Sequence, residues 1–157
     1  MKIGPGMSFL ALLGLIIFGQ VAELRGQQPA TEEGRSRFCT IDIFVDSRST
    51  PLAAYQVEFS ATNGVVRIVG IEGGESEAFR QPPVYDPKAM QKDRVIIASF
   101  STAAATTLPK GRIRVATIHV QASGDQVPQF EIKLQTAGDS RGHKISATAT
   151  FVERKAP

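Results

Sequence analysis

QFEIKLQTA, residues 129–137, alternates strictly over its central positions: Phe130, Ile132 and Leu134 are apolar, while Glu131, Lys133 and Gln135 are polar. Successive side chains of an extended chain point to opposite faces, so this pattern predicts a strand with one buried and one solvated face. No helix can satisfy it, because a period of 3.6 residues would scatter the three apolar side chains around the axis.

The same reading extends in both directions. Downstream, KISATATFV (144–152) places Ile145, Ala147, Ala149 and Phe151 on one face. Upstream, RIRVATIHVQA (112–122) reads as a strand in which His119 shares a face with Ile113 and Val115. RFCTIDIFVDS (37–47) sets Cys39, Ile41, Ile43 and Val45 against Phe38, Thr40, Asp42, Phe44 and Asp46, and LAAYQVEFSA (52–61) sets Tyr55, Val57 and Phe59 against Gln56, Glu58 and Ser60. Asn63-Gly64 before VVRIVGIE (65–72) predicts a tight hairpin, because both residues tolerate positive φ. RVIIASFS (94–101) is apolar with little alternation, which predicts a strand buried on both faces.

Turn chemistry separates these runs. Leu108-Pro109-Lys110-Gly111 fits a type I turn, and SGDQVP (123–128) and AGDSRG (137–142) carry the small and polar residues of loops. Ala103–Ala105 starts a helical turn at most, stopped by Thr106, Thr107 and Pro109. Seven strands, or eight if residues 76–80 pair, in about 115 residues predict an all-β fold, an antiparallel β-sandwich.

The 157 residues suit one such domain, over residues 37–153. Residues 1–22 hold one basic residue, Lys2, ahead of the apolar run FLALLGLIIF (9–18), which has the length of a signal-peptide core and falls short of the ~20 residues that span a bilayer. Residues 1–22 are therefore expected to be a signal peptide or signal anchor, and ELRGQQPATEEGRS (23–36) a flexible linker. Export to the periplasm, cell surface or extracellular space follows, with membrane attachment only through an uncleaved signal segment. Cys39 is the single cysteine, so no internal disulfide forms and stability has to come from the core.

A net charge of +3 from 18 basic and 15 acidic residues, interspersed along the chain, argues against nucleic acid as a partner. The local group Lys110, Arg112 and Arg114 reads as a solvated strand face. His143 with Asp139 and Ser140 contains the residue types of a triad, but crowding in one glycine-rich turn is turn chemistry. One cysteine and two distant histidines do not make a zinc site. Asp42 with Asp46, or Glu72 with Glu75 and Glu77, would supply only part of a calcium shell. Glu72, Glu75, Glu77 and Asp86 contain a glycosidase's carboxylates without fixing their separation. No catalytic residue, metal or cofactor is expected.

IDIFVDS (41–47), LAAYQVEFSATNGVVRIVGIEGGE (52–75), a connection reaching Phe79, RVIIASFS (94–101) and PKGRIRVATIHVQA (109–122) together resemble the cohesin domains and the related carbohydrate-binding superfamily. The likeness spans residues 38–152 and includes the strand-ending Gly70-Ile71-Glu72-Gly73-Gly74. It implies a jelly-roll sandwich of about nine strands that recognises dockerin-type protein partners or polysaccharide. Tryptophan, the usual sugar-stacking residue, is absent.

The connection VGIEGGESEAFRQPPVYDP (69–87) is long, and long loops on rigid sandwiches are where function concentrates. Phe79, Arg80 and Tyr85 are accordingly the candidate binding residues. The expected function is non-catalytic recognition, first of an envelope protein, in the alternative of polysaccharide. Gln56, Glu58, Lys133 and Gln135 offer a polar surface for it. A small envelope hydrolase or a membrane-tethered structural role ranks below both.

Overall fold

Eight strands form two four-stranded antiparallel sheets in a computed structural model that describes residues 35–155. In chain order these are β1 (Arg37–Asp46), β2 (Ala54–Asn63), β3 (Val65–Gly73), β4 (Val84–Tyr85), β5 (Arg94–Phe100), β6 (Arg112–Ser123), β7 (Gln129–Gly138) and β8 (Thr148–Lys155). One sheet has the order β3-β6-β1-β8 and the other β4-β5-β2-β7. The only other regular pieces among the described residues are two 3₁₀ turns, Glu77–Phe79 and Pro87–Ala89. The expected signal segment and nearly all of the linker lie outside the described residues.

Apolar faces of the two sheets meet in one core. Ile41, Ile43 and Val45 of β1 and Ile118 and Val120 of β6 face Tyr55, Val57 and Phe59 of β2 and Val95 and Ile97 of β5. The alternation read in β1, β2 and β7 is therefore the division between core and solvent. In β7 the inward residues Phe130, Ile132 and Leu134 are only half-buried.

Three local expectations are overturned. Asn63-Gly64 makes no hairpin: β2 pairs with β5 and β7, whereas β3 pairs with β6 in the other sheet. Gly64 does take a positive φ of +80° and lies against Pro128, so the glycine marks a change of sheet. RVIIASFS is buried on one face only, because Val95 and Ile97 enter the core while Ile96 and Phe100 look outward. Residues 76–80 form a 3₁₀ turn, and the eighth strand is the short β4.

His119 is also displaced from its expected face. Val115 has no ladder partner in β1 or β3, and this β-bulge reverses the alternation beyond it. Ile113 and Val115 thus turn toward the core while His119 faces outward beside Thr40, whose Oγ1 lies 3.4 Å from Nδ1.

The bulge also frees the Val115 carbonyl, which accepts a 3.0 Å hydrogen bond from the buried Tyr55 hydroxyl across the sandwich. Burial drives the Tyr55 phenol pKa well above its usual value. Tyr55→Phe should lower unfolding free energy by about 1–2 kcal/mol, since it leaves a buried carbonyl unpaired. Urea denaturation measures this, and a loss near zero would show that the carbonyl finds another donor.

Candidate functional site

The connection between β3 and β4 is held by its own short-range chemistry. A Cβ on Gly73 would collide with the Arg80 carbonyl, and one on Gly74 with the Arg114 carbonyl, so the chain passes here only as glycine. Glu75 fastens the loop to β6: its N–H donates to the Arg114 carbonyl at 3.0 Å, and its Oε1 accepts from the Arg114 N–H at 3.1 Å. Ser76 caps the 3₁₀ turn by accepting the Ala78 N–H on its hydroxyl. Arg114 completes the seam by donating to the Gly73 carbonyl at 3.2 Å.

This geometry separates the three residues singled out from the sequence. Phe79 is a core residue, 1% exposed, with its ring edge-on to Tyr55 at 5.3 Å between centroids. It presents no face to a partner, and its place in the candidate set is corrected accordingly. Arg80 is exposed and pairs with Glu77 at 2.5 Å, a surface contact of little energetic weight. Tyr85 is half-buried in β4 and lines a shallow depression with Asp86, Lys88, Arg94 and Ile96. Neither Phe79 nor Arg80 lines that depression.

The long connection instead delivers β4 to the edge of the second sheet, where Val84 pairs with Ala98 and Tyr85 with Ile97. That placement builds a surface on the outward face of β4-β5-β2-β7. Val84 and Phe100 are each 73% exposed and Ile96 is 38% exposed. Ala54 and Ala98 leave a low floor between Val84 and Phe100, in a depression also lined by Gln56 and Thr136. Across the sheet, Ile96 stands opposite Glu58, and Glu58 opposite Lys133.

Glu58 organises the polar half of this face. It accepts a 2.7 Å bond from Arg94 Nε and a 2.8 Å bond from Gln135 Nε2. The Arg94 hydrogen bond, with smaller help from Gln135 and the charges of Arg94 and Lys133, holds the Glu58 carboxyl below its usual range. The carboxylate therefore ties β5 to β2 and β7 at neutral pH, and this tie is lost as pH falls through the lowered value. The sequence pointed to Gln56, Glu58, Lys133 and Gln135 but missed Val84, Ile96 and Phe100. The visible signal was that Ile96 and Phe100 alternate with Val95 and Ile97.

The remaining chemical groups are engaged elsewhere. Asp42, 8% exposed, accepts from Thr117 Oγ1 at 2.8 Å and pairs with Arg154 Nε at 2.7 Å on the other sheet. Arg112 lies 3.6 Å over the Phe44 ring, and Arg114 donates to Thr117 at 2.7 Å. Glu72 Oε1 is 3.0 Å from His119 Nε2 but off the line of a hydrogen bond. Asp139 accepts the N–H groups of His143 and Arg141, which builds the turn and keeps its carboxyl below the usual range, the His143 bond most strongly. At one end of the sandwich, Arg37, Phe38, Cys39, Ala122, Val127, Pro128 and Glu153 line a cleft of about 430 Å³. Desolvation, then the Glu153 charge, pushes the Cys39 thiol up to about 11, so it is a poor nucleophile at neutral pH.

Compared with known families, curated proteins and solved structures, the chain matches none.

Two measurements check this arrangement. Phe79→Ala should cost about 3–5 kcal/mol of stability in chemical denaturation, the loss for an aromatic core residue, and a loss below ~1 kcal/mol would place the ring outside the core. Arg94→Gln should raise the Glu58 pKa toward that of an ordinary carboxylate, as followed by carboxyl carbon shifts during an NMR titration. An unchanged titration would sever the link between the two residues.

Proposed function

We propose that this domain is an exported, non-catalytic recognition module that binds a protein partner in the cell envelope through the outward face of β4-β5-β2-β7. The observation that carries the reading is the cluster of Val84, Ile96 and Phe100, exposed together on one face of a rigid sheet. Exposed apolar side chains rimmed by polar groups mark interaction surfaces, and an apolar centre with a hydrogen-bonding border is the usual anatomy of an interface. Glu58, Arg94, Gln135 and Lys133 supply that border.

Two further points support the reading. The face is built on one hydrogen-bonded sheet, with β5 and β7 paired on β2 and β4 paired on β5, so a partner meets a surface already ordered, with little entropy lost on binding. The cohesin-like order of elements agrees with recognition of a protein, and the apolar stretch at residues 9–18 agrees with export.

Ile96→Asp and Phe100→Asp place charges in the centre of the face without touching the core. Each should reduce capture of a specific envelope protein by at least about tenfold, the weight of a central interface anchor, while the melting temperature stays near wild type. Quantitative affinity capture from envelope extract, scored against both variants, provides the check. A partner retained equally by wild type and variants would place binding elsewhere. Retardation in polysaccharide gels that depends on Phe100 would replace the protein partner with a glycan.

A further inference from the structure

We infer that two copies of this chain associate through their β7 edges, continuing β4-β5-β2-β7 into an eight-stranded sheet across a twofold axis at Ile132. β7 ends its sheet, so one side of the strand has no neighbour. The far end of that edge is already occupied, because the Ala137 carbonyl accepts the Ile145 N–H and Gly138 bridges to Lys144. The free part is Gln129–Gln135.

The backbone of this segment is oriented outward at alternate residues. Ala61 sends its N–H to Asp93, on the side of β2 away from β7. By strand alternation Phe59 and Val57 also bond toward β5, so Phe130, Ile132 and Leu134, the β7 partners of Ala61, Phe59 and Val57, direct N–H and C=O groups to the open edge. Those three residues also point their side chains inward and stay only half-buried. Across the sandwich from them, Phe151 and Ala149 of β8 and the preceding Ala147 are half-buried as well. At the β3 side, by contrast, the β3–β4 connection packs Phe79 into the core, and the β4–β5 connection ties Gln91 and Lys92 to Ile68. The β7 side is thus an apolar seam with nothing over it among the described residues.

A second copy fits this edge because the free segment is self-complementary. Around a twofold at Ile132, antiparallel pairing sets Phe130 against the other copy's Leu134 and Gln129 against its Gln135. Glu131 then stands directly opposite Lys133, twice. Both charged residues are exposed on the outward face, so they select the partner without blocking the edge. Opposite charges placed directly across strands stabilise pairing and like charges oppose it, which makes the contact isologous and closes it at two copies. The edge lies beside the proposed recognition face, so the dimer would carry two such faces on one continuous sheet.

Charge reversal tests the pairing and its register. The full chain is kept in a non-ionic detergent that disperses its apolar N-terminal stretch, and its mass is followed by sedimentation velocity. Wild type should form dimers. Glu131→Lys and Lys133→Glu should each raise the dimer dissociation constant by about tenfold or more, since each places two like-charged pairs face to face. An equimolar mixture of the two variants restores both opposite-charge pairs and should dimerise as the wild type does, as should the double variant. Lys133 also faces Glu58, so a local cost of its reversal lowers the melting temperature of Lys133→Glu and of the double variant and leaves that of Glu131→Lys unchanged, which separates it from the effect on pairing. A monomeric wild type, dimers indifferent to the single reversals, or a mixture that stays monomeric would each overturn the inference. A monomer that binds only foreign extended peptides at this edge would overturn it too.

Discussion

The hydrogen bond from Tyr55 to the Val115 carbonyl is the constraint around which the rest of the sandwich is arranged. An extra residue in β6 leaves that carbonyl outside both ladders, and only a long side chain from the opposite sheet reaches it. Tyr55 in turn presents its ring to the edge of Phe79, which draws the β3–β4 connection into the core. Because the connection is held there, β4 is delivered to the margin of the second sheet and Val84 comes to rest near Phe100. The exposed surface thus rests on the contact of Phe79 with Tyr55 together with the hold of Glu75 on β6.

The bulge has a second effect on the opposite side of the molecule. It shifts alternation along β6, so Thr117 and His119 emerge on the face that carries Asp42 and Arg154. On that face Asp42 is shared between a hydroxyl and a guanidinium, beside the exposed Val152. Each outward face thus ties its strands through one carboxylate, Asp42 on one and Glu58 on the other.

Much of this was legible in the residues because one-sided burial imposes a period of two. β1, β2 and β7 follow it, and Tyr55 among core-type residues read correctly as packed. What escaped depends on neighbours that no local pattern specifies. RVIIASF looks buried on both sides, yet only the two-residue β4 lies beyond it and nothing among the described residues covers Ile96 or Phe100. Asn63-Gly64 has the residues of a hairpin, but Val57 and Phe59 find better partners in β5 and β7 than β3 would provide. Phe79 sits in a polar, glycine-rich stretch, and only its contact with Tyr55 reveals it as core. The candidate site was half visible for the same reason: Gln56, Glu58, Lys133 and Gln135 follow from strand parity, whereas their apolar companions follow from which strand ends the sheet.

The change of sheet at Gly64 also bears on how the chain reaches this state. β1, β2 and β3 alternate between sheets, as do β6, β7 and β8, so almost no strand pairs with its neighbour in sequence. Only β4 and β5 are consecutive and bonded. Every other ladder requires closing a long loop before any contact rewards it, which sets such topologies at the slow end of folding, on the order of milliseconds to seconds. During that interval β2 and β6, each central to its sheet, wait for partners on both sides. Their apolar faces are the segments most in need of protection while the chain is being made.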